Sequence, residues 1–151
     1  MKRSAAISEI RAFNRQYTNL IGVLDRHILR SPYSLTEVRI MFEISGLRRC
    51  TARQLTRVLA VDEGYLSRTI ERLVKLRLIS RERAPGDGRS WLLSLSPDGK
   101  REFRSLNEAA EREIAEITAG LSEDGVAEVV MHMRRIRQLL APLEDTNAGQ
   151  S

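Results

Sequence analysis

The chain has 151 residues, a net charge of +5 and 30% charged against 42% hydrophobic side chains, of which few are aromatic. That length and composition suit one packed domain and exclude a disordered, collagen-like or low-complexity chain. A single cysteine, Cys50, and two widely separated histidines, His27 and His132, exclude an intramolecular disulfide scaffold and a structural metal, and no apolar run approaches a membrane span or a signal-peptide core, so a cytoplasmic protein is expected.

Apolar residues Ile10, Phe13, Tyr17, Leu20, Leu24 and Ile28 recur at steps of three and four and predict one long helix with a single seam, ending before Ser31-Pro32. Ser34-Leu35-Thr36-Glu37 has the form of a capping box, with Tyr33 placed to staple against Val38, and opens a second helix that Ser45-Gly46 should end. Thr51-Ala52-Arg53-Gln54 repeats the device ahead of a short helix carrying Leu55, Val58 and Leu59 on one face. Asp62 then caps a helix over 63–76 whose Leu66, Ile70, Leu73 and Val74 form a buried stripe. Gly64, Tyr65, Arg68, Arg72 and Lys75 point away from that stripe. Two short helices joined by a tight turn, the second with a polar and basic outer face, make a helix-turn-helix pattern.

The period then changes to two. Residues 79–83 and 91–95 read as strands, with Trp91, Leu93 and Leu95 on one face, joined by the Gly-rich cationic segment 84–90. Ser96-Pro97-Asp98 starts a helix that continues through Phe103, Leu106, Ala110, Ile114, Ile117 and Leu121. Ser122-Glu123-Asp124 starts a last one, carrying Val126, Val129, Val130, Met133, Ile136 and Leu140 before Pro142. The expected fold is therefore mainly α with a small β-hairpin, a winged helix-turn-helix over 31–104 flanked by dimerisation helices in 1–30 and 105–143 and a tail at 144–151. The terminal helices carry more apolar face than one small lobe can bury, which predicts a homodimer.

The charge is unevenly distributed along these parts. Residues 1–30 sum to +4, residues 31–104 to +6 and residues 105–151 to −5. A basic middle with an acidic end suits a domain whose centre meets a polyanion. Of the 25 basic residues, all but Lys2, Lys75 and Lys100 are arginine, which suits phosphate and guanine contacts but also follows from GC-rich codon usage. On this reading the helix over 63–76 enters a major groove of double-stranded DNA, with Gly64, Tyr65, Ser67, Arg68, Arg72 and Lys75 on its outer face. Arg53 anchors the preceding helix, and Arg89 at the wing enters the minor groove.

The run 31–37, the pair Ser67-Arg68, Leu73 with Leu78-Ile79, the wing Pro85-x-Asp87-x-Arg89 and the exit Leu95-Ser96-x-x-Gly99 together resemble the MarR family of bacterial transcription regulators, over roughly residues 10–140. The resemblance implies a winged-helix homodimer on a palindromic operator, most often repressing, in which Asp87 orients Arg89 for the minor groove. Gly88 and Ala84 depart from the family's wing, where a second arginine and an acidic residue are common, and imply a weaker grip. The segments 10–15, 31–37, 62–68 and 87–89 are also similar to the DNA-binding halves of MarR proteins fused to GNAT acetyltransferases. The chain lacks the Gly-rich acyl-coenzyme A loop of that second domain, so it reads as a stand-alone relative or an excised regulatory half.

The resemblance further implies a small anionic or phenolic effector between the dimer helices and the DNA-binding lobe. Tyr17, Ile21, Arg26, Tyr33 and Met41 are the candidate lining, an arginine and two phenols among apolar groups. No cofactor, metal site or catalytic residue is expected, since no nucleophile–base pair, phosphate loop or ligand spacing is present. A winged helix used only for protein contact is the alternative. Cys50 reads as a passive thiol rather than a redox sensor, although Arg48, Arg49 and Arg53 lie nearby in sequence and could lower its pKa; His27 and His132 read as interfacial or surface groups.

Overall fold

The computed structural model describes residues 2–22 and 28–147, in two units, Met1–Glu113 and Ile114–Ser151. The first begins with helix α1 (Arg3–Leu20), a 3-10 turn (Ile28–Arg30), α2 (Leu35–Leu47), α3 (Ala52–Leu59) and α4 (Glu63–Lys75). Strands β1 (Ile79–Ala84) and β2 (Asp87–Leu95) follow, then α5 (Pro97–Thr118), which crosses into the second unit ahead of α6 (Glu123–Asn147).

The first helix is shorter than its apolar stripe. The Ile21 and Gly22 amides bond back to the Tyr17 and Asn19 carbonyls, and Gly22 turns left-handed at φ 60°, so α1 ends at Leu20. A glycine just past the last turn is the common way to close a helix, and it stops α1 short of the end at Ile28 that the apolar stripe predicts. Leu24, Arg26 and His27 lie outside the described residues. No residue of α1 is buried.

The three central helices start as their caps dictate. Ser34 Oγ accepts the Glu37 amide and Glu37 accepts the Ser34 amide at 2.8 Å; Thr51 and Gln54 make the same reciprocal pair; Asp62 Oδ1 accepts the Tyr65 amide at 2.8 Å. Helix α2 runs past Ser45-Gly46 to Leu47. Helix α4 ends in a Schellman turn, with Arg77 N–H on the Val74 carbonyl, Leu78 N–H on the Leu73 carbonyl, and Arg77 left-handed at φ 60°.

Ile40, Met41 and Ile44 of α2, Leu55 and Leu59 of α3 and Leu66, Ile70 and Leu73 of α4 close over Leu93 and Leu95, with Leu106 of α5 sealing the core. Phe42 meets Phe103 edge to face at 4.9 Å.

The hairpin is tighter than expected. The strands pair antiparallel from Ile79↔Leu95 to Arg83↔Trp91, then shift to Ala84↔Asp87, so the turn is only Pro85-Gly86, with Gly86 at φ 82°. Gly88, Arg89 and Ser90, expected in a loop, instead bulge from β2. An isolated antiparallel bridge is added on the other edge of β2 by Cys50, whose N–H and carbonyl bond to the carbonyl and N–H of Leu93 at 3.1 and 2.7 Å.

In the second unit Ser122 caps α6 through the Gly125 amide. That helix continues through Pro142 to Asn147, beyond the expected end, because a proline removes one backbone bond but its own φ is helical. Expectations for the tail at 148–151 lie outside the described residues. Among the described residues no helix is long and apolar enough to cross a membrane, and no group of acidic, His or Cys side chains is arranged to hold a metal ion.

Candidate nucleic-acid interface

The capping hydrogen bond of Asp62 fixes the first turn of α4, and burial of Leu66, Ile70 and Leu73 fixes its rotation. Gly64, Tyr65, Ser67, Arg68, Arg72 and Lys75 are consequently all exposed, as expected. Gly64 has an ordinary helical φ, and a β-carbon there would lie 3.4 Å from Arg68 Nη1 and 3.3 Å from Asp62 Oδ1. The missing side chain thus leaves room for the Arg68 guanidinium over the start of the helix.

The wing faces the same helix. Thr51, Ala52 and Arg53 at the start of α3, Ser67, Ile70 and Glu71 of α4, Arg81 of β1 and Arg89, Ser90, Trp91 and Leu93 of β2 line one open cleft of about 280 Å³. Three arginines from three elements, Arg53, Arg81 and Arg89, therefore converge beside one carboxylate, Glu71. Such a concave cationic surface focuses its field on an approaching polyanion.

Arg81 was legible in the sequence but missed there. It follows Ile79 at strand period and pairs with Leu93, so although exposed it stands on the side of the hairpin that lines the cleft. Arg89 is exposed on the bulged stretch of β2, where Arg83 Nη1 donates to the Gly88 carbonyl. Arg83 also lies 4.0 Å over the Trp91 ring, which is 42% exposed. The side chain of Asp87 lies outside the described part, so its expected contact with Arg89 is not placed.

Arg72 is held differently from the other outer cations of α4. Its Nε donates to Glu37 Oε1 at 2.6 Å, and Glu37 is buried, with 7% of its side chain exposed. The capping box had accounted for Glu37 through Ser34 alone; its second oxygen is the one that reaches α4.

Cys50 has the character of a passive thiol. It is fully buried, and burial, aided by the nearby Glu43 charge, pushes its thiol up to about 11, not down. Of the flanking arginines, Arg49 pairs with Glu82 at 3.5 Å, and Arg48 stands at the C-cap position of α2. An alternating neighbourhood of exposed arginine and buried sulfur gives no thiolate stabilisation.

The expected effector lining is only partly accessible. Tyr17 stacks on Phe13 at 5.5 Å within α1, and Ile21 is half-buried. Tyr33 packs on the core with its hydroxyl on Glu102; desolvation, then the Glu102 charge, raises its pKa. Met41 is fully enclosed in the core, which removes it from the lining, and Arg26 lies outside the described residues.

Residues 31–90 match the model of the MarR family. The multiple antibiotic resistance protein MarR of Salmonella typhimurium is 27% identical over 115 residues, which are 76% of this chain and 80% of that protein. The crystal structure of the MarR C80S mutant from E. coli in complex with operator DNA is similar at a TM-score of 0.70 and 22% identity, covering 87% of this chain and 95% of that one. A Bordetella bronchiseptica BpsR structure, described as a mechanism for regulation of DNA binding by 6-hydroxynicotinic acid, is similar at a TM-score of 0.69 and 20% identity, covering 85% and 98%.

Proposed function

We propose that this chain is a transcriptional regulator of the MarR family, a homodimer that binds a palindromic DNA operator and represses from it. The observation that carries the reading is the cationic cleft between α4 and the wing, where Arg53, Arg81 and Arg89 converge beside the exposed Ser67. Helix α4 supplies the base-reading face through Tyr65, Ser67 and Arg68, Lys75 and Arg53 neutralise phosphate, and Arg89 follows the backbone into the minor groove. Two copies would set their α4 helices about 34–36 Å apart, one turn of duplex.

The dimer is supported by the apolar faces left on α1 and α6, treated below. The operator-bound and ligand-regulated relatives support an effector-released repressor. A small anionic or phenolic effector near Tyr17, Ile21, Arg26 and Tyr33 would act by preferring a different dimer opening from DNA, a coupling of about 1–3 kcal/mol. This is a binding protein of the cytoplasm, not an enzyme.

Selection of bound duplexes from a random pool, followed by titration of the recovered sequence against salt, tests the reading. A recovered palindrome and a steep fall in affinity with salt are expected. Failure to bind any duplex in a salt-dependent way would leave the winged helix as a protein-contact module.

A further inference from the structure

The tether on Arg72 is an odd feature in a surface that only has to attract phosphate. Glu37 occupies the third position of α2, and both its oxygens are used: Oε2 takes the Ser34 amide at 2.8 Å and Oε1 takes Arg72 Nε at 2.6 Å. The carboxylate is thereby oriented by the α2 backbone at one end and orients α4 at the other. Arg72 keeps 60% of its side chain exposed. With Nε committed to Glu37, the two Nη groups are the donors left to meet another acceptor.

Among the described residues, Arg72 is the cation of the outer α4 face that sits in an ion pair; Arg68 and Lys75 carry none. The pair has no net charge, so it weakens the long-range pull of α4 on any duplex. It also ties up a long side chain that would otherwise follow phosphates freely. Both effects lower indiscriminate affinity. Only the Glu37 side of the pair is buried; desolvation there offsets much of the attraction, and fixing one arrangement is the best-attested use of such a pair. Tyr33, whose hydroxyl meets Glu102 of α5, lies beside Glu37, so the pair is set in a polar seam joining α2, α4 and α5.

We propose that Glu37 is a specificity-determining positioning residue: it holds Arg72 so that the outer guanidinium edge meets the DNA backbone only when α4 is seated in one register, and its charge withholds Arg72 from other phosphates. The inference rests on the DNA-binding reading above. It makes Arg72 a register sensor rather than one more cation.

The test measures affinity of the full-length protein by fluorescence anisotropy, on the selected operator and on a scrambled duplex, across a salt series. In Glu37→Gln one negative charge is lost and a single acceptor oxygen is left for two donors, the Ser34 amide and Arg72 Nε, so the charge-assisted tether is lost. The ratio of operator to scrambled affinity falls about tenfold, and the salt slope on the scrambled duplex steepens by about 0.9. Arg72→Lys keeps the positive charge but loses the Nε bond, and lowers the ratio similarly. The double variant loses no more than either single one, since the two residues act as a unit.

A merely structural role lowers the melting temperature and scales both affinities together. An unchanged ratio in both single variants overturns the proposal, as does an additive double variant. If Glu37→Gln fails to fold, Arg72→Lys decides alone, since the buried carboxylate keeps a cationic partner. A wild-type protein that binds no duplex removes the DNA-binding reading itself, a result distinct from a wild type that discriminates while its variants do so equally well.

Discussion

Gly99 lies against the Leu78 carbonyl so closely that a β-carbon at residue 99 would stand 1.9 Å from the oxygen. The contact seats the first turn of α5 on the turn between α4 and β1. Ser96 holds the same joint from the other side, its hydroxyl donating to the Arg77 carbonyl and accepting the Gly99 amide, while its own amide donates to Leu78. Backbone, not a flexible side chain, blocks residue 99, so Gly99→Ala must push α5 off the wing base. A loss of about 3 kcal/mol is expected, at the severe end of overpacking. Thermal melting checks it, and an unshifted midpoint would show that the joint is looser than the geometry requires.

One residue away in space, glycine has the opposite effect. Arg77 takes the left-handed position of the Schellman turn at φ 60°, where an L side chain is strained and glycine is not. Its side chain is exposed and makes no core contact. Arg77→Gly should therefore raise stability by about 1 kcal/mol. A higher urea midpoint with an unchanged slope is the expected result; a lower one would mean that the arginine side chain stabilises the turn by more than its backbone costs.

Signals confined to a few adjacent residues were legible in the sequence. Ser34 with Glu37, Thr51 with Gln54, and Asp62 each start a helix where their side chains can reach the free amides, because capping needs nothing distant. Competing local signals were harder. The apolar stripe through Ile28 and the glycine at 22 disagreed over α1, and one residue that accepts a positive φ decided it. Long-range pairing was not legible at all. Cys50 sits among arginines in the sequence, yet its backbone joins Leu93 in a strand and its sulfur faces the core. Glu37 and Arg72 are 35 positions apart, and only the packing of α2 on α4 brings them together.

The buried thiol gives a chemical test of that packing. Cys50 is raised to about 11 by burial and by Glu43, so the native state favours the neutral thiol. The stabilising effect is complete below the unfolded value near 9 and is lost as pH rises through the folded value near 11. Folded protein at neutral pH should resist a thiol reagent, and denatured protein should react at once. Rapid labelling of the native state would restore the redox-sensor reading.

For DNA binding, the two exposed arginines Arg68 and Arg89 should behave differently from each other. If Arg89 meets the DNA backbone as proposed, Arg89→Ala should cost about 1–3 kcal/mol across sequences and reduce the salt slope by about one unit. Arg68→Ala, on the base-reading face, should cost a similar amount but relax preference at one operator position. Trp91 is the only tryptophan and sits half-exposed beside the cleft, so its emission should report the titration. Equal, sequence-independent losses in both variants would place Arg68 on phosphate instead of a base.

The proposed homodimer makes the last prediction. Helix α6 has no buried residue among those described, yet Val129, Met133, Ile136 and Leu140 form one exposed stripe at steps of four, three and four. Helix α1 likewise leaves Ile7, Ile10 and Phe13 half-exposed. Burying each large side chain contributes about 1.5–3 kcal/mol, so a second copy covering these stripes gains far more than a single lobe loses by leaving them wet. A charge in the centre of the α6 stripe has no partner there and meets the cost of burial unrelieved. Ile136→Glu should therefore convert the dimer to a monomer in sedimentation equilibrium. The winged-helix lobe has its own core and should stay folded, with its far-UV spectrum retained. Operator affinity should fall by about two orders of magnitude or more, because one α4 then reads one half-site without the effective concentration that the paired lobe supplies. A variant that remains dimeric with full affinity would place the interface on another face. A monomer with full affinity would show that one lobe suffices, and would remove the palindrome from the mechanism.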